Sequence, residues 1–179
     1  MVEVQTRCLD AFPNWLRSLA DDARAFAKLL EEPALPEPAK RRVAAALNYL
    51  FKSLDLIPDG IEDLGFVDDA FVFRMSAEQA LEETGGTAHE TLRRLADDAK
   101  LISEFLEGDG PRLAAYVRAL EKGAVRGRSV QDIVSDAGVR AELVREVLAW
   151  ADGYGPPTFT RDAKSLVKLK SFLSAKLPH

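Results

Sequence analysis

The sequence has one cysteine, Cys8, and two histidines, His89 and His179. A single thiol excludes an internal disulfide and suits a reducing compartment. It also excludes the Cys and His spacings of a zinc site, and neither histidine belongs to a Ser-His-Asp or Cys-His arrangement. With no base close to it in sequence, Cys8 reads as an inert, buried thiol. Long hydrophobic runs are missing too. The longest apolar stretches, around Val43 to Leu50 and Phe66 to Phe73, are interrupted by Asn48, Asp68 and Asp69, and both fall well short of the roughly 20 residues needed to span a bilayer. The opening MVEVQTRCLDAFPNW lacks a basic start followed by an apolar stretch, so no secretory signal is expected. There is no Gly-rich phosphate loop, no internal repeat and no low-complexity tract. Together these absences give little support to an enzymatic activity and point to a soluble, cytoplasmic protein.

What is present suits a folded domain. Of 179 residues 47% are hydrophobic, enough for a real core, and the 30% that are charged are mixed in sign. The net charge of −5 argues against a protein that simply coats nucleic acid or an anionic surface. The charge is uneven, because from Pro156 onward Arg161, Lys164, Lys168, Lys170 and Lys176 face one acid, Asp162.

Helical spacing dominates. Trp15, Leu19, Ala23, Phe26 and Leu30 recur at three and four residues as one apolar face, with Arg17, Asp21, Asp22, Arg24 and Lys28 largely off it. A second helix is expected from about Pro38 to Ser53, buried along Val43, Ala46, Leu47, Leu50 and Phe51. It starts with Lys40, Arg41 and Arg42 at the end of the helix dipole that disfavours cations, so acids or solvent must compensate there. A third helix is expected from about Asp68 to Glu83. A fourth starts with a Thr87–Glu90 capping box and a fifth runs from Pro111 to about Lys122. A short sixth is capped by Ser129 with Asp132, and a seventh runs from about Val139 to Ala151. Gly153, Gly155, Pro156 and Pro157 form the clearest linker. A last helix after Thr160 carries Leu166, Leu169, Leu173 and Leu177. The expected fold is all-α: a multi-helix bundle with a helical-hairpin core and a smaller C-terminal helical unit. Its divisions fall at 1–108, a bundle holding the hairpin; 109–155, a small three-helix unit; and 156–179, a basic amphipathic helix.

Between the second and third helices lies LDLIPDGIEDLGF, too apolar for a loose loop. Leu56, Ile57, Leu64 and Phe66 should be buried there against Tyr49, Leu50 and Phe71. Asp55, Asp59, Glu62, Asp63, Asp68 and Asp69 crowd the same stretch. An oxygen-only cluster suits a hard cation such as Mg²⁺ or Ca²⁺, so Asp55, Asp59, Asp68 and Asp69 are the candidate metal or partner site. The plainer reading is that these aspartates cap turns and helix starts. Their spacing is not that of an EF-hand loop.

The segment NYLFKSLDLIPDGIEDLGFVDDAFVF resembles the core of the YkvA-like family, a bacterial domain of unknown function. That core reads roughly Tyr-Leu-x-Ser-Pro-x-Asp-Leu-Ile-Pro-Asp, then five residues and Gly-Tyr-x-Asp-Asp. Tyr49, Leu50, Asp55, Leu56, Ile57, Pro58, Asp59, Gly65, Asp68 and Asp69 fall on matching positions, and Phe66 stands for the aromatic. Lys52-Ser53 replaces Ser-Pro, and Glu62 replaces a common proline. The resemblance covers about residues 40–81. It implies a helical hairpin in a bacterial protein and no particular activity.

Two other segments are candidates for binding. SVQDIVSDAGVRAELVREVL, residues 129–148, resembles a helix-turn-helix of the lac-repressor type, with Gly138 at the tight turn. Arg126, Arg128, Arg140 and Arg145 are its candidate nucleic-acid contacts. Glu142 and Glu146 on the same helix oppose a phosphate backbone, so nucleic acid is the weaker partner. The C-terminal leucine stripe sets Lys164, Lys168, Lys170 and Lys176 toward a membrane surface or an acidic partner. The overall expectation is a non-catalytic protein-interaction or assembly module acting on an unknown partner or on itself. No cofactor is expected, Mg²⁺ or Ca²⁺ excepted. The rival readings are a divalent-metal protein, a DNA-binding regulator and a peripheral membrane protein.

Overall fold

The structure, a computed structural model, describes residues 2–52, 56–57, 64–85 and 89–179. Among these residues eight α-helices form: α1 (Val2–Leu30), α2 (Glu37–Tyr49), α3 (Val67–Glu82), α4 (Glu90–Leu106), α5 (Gly110–Ala119), α6 (Val130–Ser135), α7 (Ala137–Gly153) and α8 (Ala163–Lys176). Single 3₁₀ turns at Glu107–Asp109 and Leu120–Lys122 flank α5. The all-α expectation holds.

The centre of the molecule is α3. It is buried at nearly every position from Val67 to Ala80, its polar residues Asp68, Asp69, Arg74, Ser76 and Gln79 included. Helices α1, α2, α4 and α5 surround it. The consecutive Ala44, Ala45 and Ala46, all buried, give α2 a thin profile where it packs on α3 and α6. An aromatic knot forms around Phe12, whose ring centroid lies 5.0 Å from Trp15, 5.1 Å from Phe71, 5.3 Å from Phe105 and 6.1 Å from Phe159. One buried cluster runs from Cys8 to Leu177 and includes Ile133, Leu143 and Val147 as well as the α8 stripe Leu166, Leu169 and Leu173.

Several local expectations change. Asp22 is not on the solvent side of α1 but 1% exposed, because its spacing from Leu19 and Phe26 sets it on the apolar face. Helix α2 stops at Tyr49 rather than continuing to Ser53. Its basic start is compensated within the chain: Arg41 pairs with Glu37 and Gln131, and Arg42 lies between Glu83 and Glu121 at 3.7 and 3.6 Å. The expected Thr87 cap lies outside the described residues. Helix α4 begins at Glu90, and its N-cap residue, His89, makes no side-chain cap bond.

A two-stranded ribbon, β1 (Ala124–Val125) and β2 (Arg128–Ser129), was not anticipated. Its strands are antiparallel, with Val125 opposite Arg128 and Ala124 opposite Ser129. The two-residue turn between them has positive φ at both positions, 53° at Arg126 and 75° at Gly127. This is the turn whose twist matches a hairpin, and the glycine supplies half of it without strain.

Candidate functional site

The connector between α2 and α3 is held from both ends. Tyr49, on the last turn of α2, donates its O–H to Asp68 Oδ2 over 2.7 Å. The Leu56 N–H donates to the Tyr49 oxygen at 2.9 Å, and the Ile57 N–H to Asp68 Oδ2 at 3.3 Å. Leu56, Ile57 and Leu64 are buried, while Phe66 is half-buried. Burial pushes the Tyr49 phenol well above its ordinary pKa, and the neighbouring Asp68 carboxylate pushes it further, so the tyrosine stays a hydrogen-bond donor at any physiological pH.

Asp68 does receive a backbone N–H bond, but it comes from Ile57 in the connector. Sequence spacing shows an acid at a helix beginning; it does not show that the carboxylate points back across the turn. Asp69, beside it, is 1% exposed. Both acids sit in the first turn of α3, where the helix dipole favours negative charge. Asp55 and Asp59, like Glu62 and Asp63, lie outside the described residues. Among the described residues no group of three or more His, Cys, Asp and Glu side chains is arranged to hold a metal ion.

The residue before α3 is strained. Phe66 has φ of 64°, the left-handed region that costs a bulky residue roughly 1–3 kcal/mol. Its ring is held by Tyr154 at 5.3 Å and Trp150 at 6.0 Å, and Tyr154 in turn donates to the Leu16 carbonyl at 2.8 Å. The end of the connector is thus tied to α7 and α1.

In the helix-turn-helix-like segment, the Ser129–Asp132 capping box forms as the sequence implies. The turn is tighter than in the pattern it resembles, because Asp136 alone separates α6 from α7. Asp136 Oδ1 accepts from the N–H groups of Gly138 and Val139 at 2.8 and 3.2 Å. Gly138 lies inside α7 rather than at the turn, and a Cβ there would meet Asp136 Oδ1 at 3.2 Å. Three of the four candidate arginines have partners. Arg126 and Arg128 both bond Glu146 and stack on the Phe51 ring, with guanidinium carbons 4.8 and 5.8 Å from its centroid. Arg140 bonds the Ile133 and Val134 carbonyls at the end of α6. Arg145 is exposed.

On α8 the leucine stripe faces the body of the protein. The opposite face presents Lys164, Val167 and Lys168, with Val167 62% exposed. Lys170 pairs with Glu107, and Lys176 is exposed at the helix end. No helix among the described residues is long and apolar enough to cross a membrane. Cys8 is fully buried and its thiol is pushed up to about 12, chiefly by burial.

The sequence reading missed a buried charge network. Arg74 of α3, 1% exposed, donates to Asp98 of α4 at 3.1 Å, to Asp22 of α1 at 3.4 Å and to the Ala70 carbonyl at 3.1 Å. Its guanidinium also lies over the Trp15 ring at 4.4 Å. Arg94 and Ser18 complete the shell around Asp22. A signal was available: Arg74 is the one cation in the apolar run from Ala70 to Met75, and burial of such a charge demands partners.

Comparison with known proteins bears on this hairpin alone. A family model described as a protein of unknown function (DUF1232) matches residues 39–74, which span α2, the connector and the first half of α3. No curated protein and no solved structure matches the chain. The matched segment contains Tyr49, Asp68 and Asp69 and ends on Arg74, so the connector clamp lies within the matched segment.

Proposed function

We propose that the protein is a non-catalytic interaction module. In this reading the hairpin, which resembles the YkvA-like family, is its structural centre, and the outer face of α8 binds an acidic protein partner. The observation that carries this reading is the division of α8 into two faces. Leu166, Leu169 and Leu173 are buried in the protein's own core, so they are withheld from a bilayer. What remains outside is Lys164, Val167 and Lys168, and neither lysine has an ion-pair partner among the described residues. Two or three lysines near an anionic membrane supply about 1 kcal/mol each, too little for stable attachment without an inserted apolar face. An acidic protein surface matched to the lysines, with a pocket for Val167, gains from shape as well as charge. The clamp supports a structural role for the hairpin, since Asp68 and Tyr49 are turned inward onto the connector's backbone.

The test places a photo-crosslinking residue at position 167 of the full chain in its native cells. The expected result is a discrete protein adduct that disappears when Lys164→Glu and Lys168→Glu are combined. Sedimentation with phosphatidylglycerol vesicles in place of a protein adduct would move the assignment to a membrane surface. Salt-dependent binding to duplex DNA, lost in Arg145→Glu, would move it to the α6–α7 unit. A saturable rise in melting temperature with Mg²⁺ or Ca²⁺, abolished by Asp68→Asn with Asp69→Asn, would make the connector a cation site.

A further inference from the structure

Two rows of like charge on the surface have the same spacing and opposite sign. On α8, Lys164 and Lys168 stand four residues apart with Val167 between them, and all three are exposed. On the last turns of α3, Glu78 and Glu82 stand four residues apart with Leu81 between them. Glu78 and Leu81 are half-buried and Glu82 is exposed. Residues at that spacing share one helix face, and like charges there repel. Neither row is relieved by an ion pair among the described residues. The pairs formed next to them use Glu83 with Arg42 and Lys170 with Glu107 instead. Burial and the Glu82 charge raise the Glu78 pKa, and Lys100 and Arg118 offset this only in part. The acids at the same spacing on α7, Glu142 and Glu146, are taken by Arg126 and Arg128.

The helix ends sharpen the match. Lys164 stands in the first turn of α8, the end of the dipole that disfavours a cation. Glu82 closes α3, whose last turn holds no basic residue, at the end that disfavours an acid. Each helix therefore carries charge of the wrong sign for its end, and the other helix carries the sign that corrects it. An antiparallel approach sets Lys164 against Glu82 and Lys168 against Glu78. Beyond Val167 the outer face of α8 continues through Ser171, Ser174 and Ala175, which line an open groove, so a second helix can lie close along it.

We propose that the acidic partner of α8 is a second copy of this chain, bound through Glu78, Leu81 and Glu82 of α3. This rests on the reading of α8 as a binding face. The two rows are different surfaces, so two copies that close on each other make the contact twice, and copies that do not close form a chain. Sedimentation equilibrium of the purified full chain at low ionic strength tests it. The weight-average mass should rise above the monomer with concentration and fall back when salt is added, because the contact is exposed and screened. Lys164→Glu with Lys168→Glu should be monomeric, and so should Glu78→Lys with Glu82→Lys. An equimolar mixture of the two variants should associate again, since each row then meets its opposite. A wild type that is monomeric at every concentration, or a mixture no more associated than its components, would overturn the proposal. With a monomeric wild type, a crosslink from position 167 to a different protein leaves α8 a binding face, whereas no protein adduct at that position removes both readings.

Discussion

Asp68 carries more of the connector's order than any other side chain described. It gathers a phenolic O–H and a backbone N–H into one buried carboxylate. Removing the phenol leaves the Leu56 N–H without its acceptor and Asp68 with one donor fewer. An unsatisfied buried group costs about 1–3 kcal/mol, so Tyr49→Phe should lower stability by that amount in urea denaturation while leaving the helical circular dichroism intact. Cys8 gives a second measurement at this scale. With its thiol pushed up to about 12 and no exposed surface, the native protein should resist alkylation by iodoacetamide at pH 8 and react at once when unfolded. Rapid modification of the native protein would show that the N-terminal end of α1 opens.

At the scale of elements, α8 is fastened to the body partly by carboxylates. Glu107 pairs with Lys170, and Arg112, held by Asp109, donates to the Ser174 and Pro178 carbonyls. The hydrogen bond from Lys170 holds the Glu107 carboxyl below its ordinary pKa, and Arg112 does the same for Asp109. A depressed folded-state pKa means stability that is present above the unfolded pKa and lost as pH falls through the folded one. The contacts of α8 should therefore loosen below roughly pH 4, the ordinary carboxylate range, and amide exchange in residues 163–176 should rise there before it rises in α3. The start of α8 offers a separate test. Asp162 accepts from the Ser165 N–H at 3.0 Å, so Asp162→Ala should cost about 0.5–2 kcal/mol in chemical denaturation.

For the whole molecule, the Arg74 network decides whether the matched hairpin stands alone. Burial pulls the Arg74 guanidinium below its ordinary pKa, opposed by Asp22 and Asp98. Two of its partners, on α1 and α4, lie outside residues 39–74. Removing one member of a buried pair strands the other, at a cost of about 3–5 kcal/mol, whereas replacing both by apolar groups can be nearly neutral. Asp22→Ala should therefore destabilise the protein strongly in thermal and urea unfolding, and Asp22→Leu combined with Arg74→Met should recover much of the loss. A double variant as unstable as the single one would show that the network contributes through other contacts. On the same ground residues 39–74 expressed alone should not fold.

Helix content, the approximate ends of most helices, the Ser129 cap and the buried stripe of α8 were legible from spacing and cap residues, because those signals are local and repeat along the chain. The burial of Leu56 and Ile57 was legible as well, since two large apolar residues beside turn formers have few other places to go. Three features were decided only by the tertiary structure. Asp22 and Arg74 are 52 residues apart in sequence, and each read by itself resembles a solvated charge; packing brought them together and made both affordable inside. The ribbon rests on a two-residue turn with positive φ at an arginine, a conformation that the stacking of Arg126 on Phe51 and its bond to Glu146 hold in place. Asp68 announced itself as a helix-start acid, but its aim toward Tyr49 and Ile57 follows from the crossing of α2 over α3. Periodicity fixes which face of a helix is apolar, whereas the partner of a buried polar group depends on where distant helices place their own.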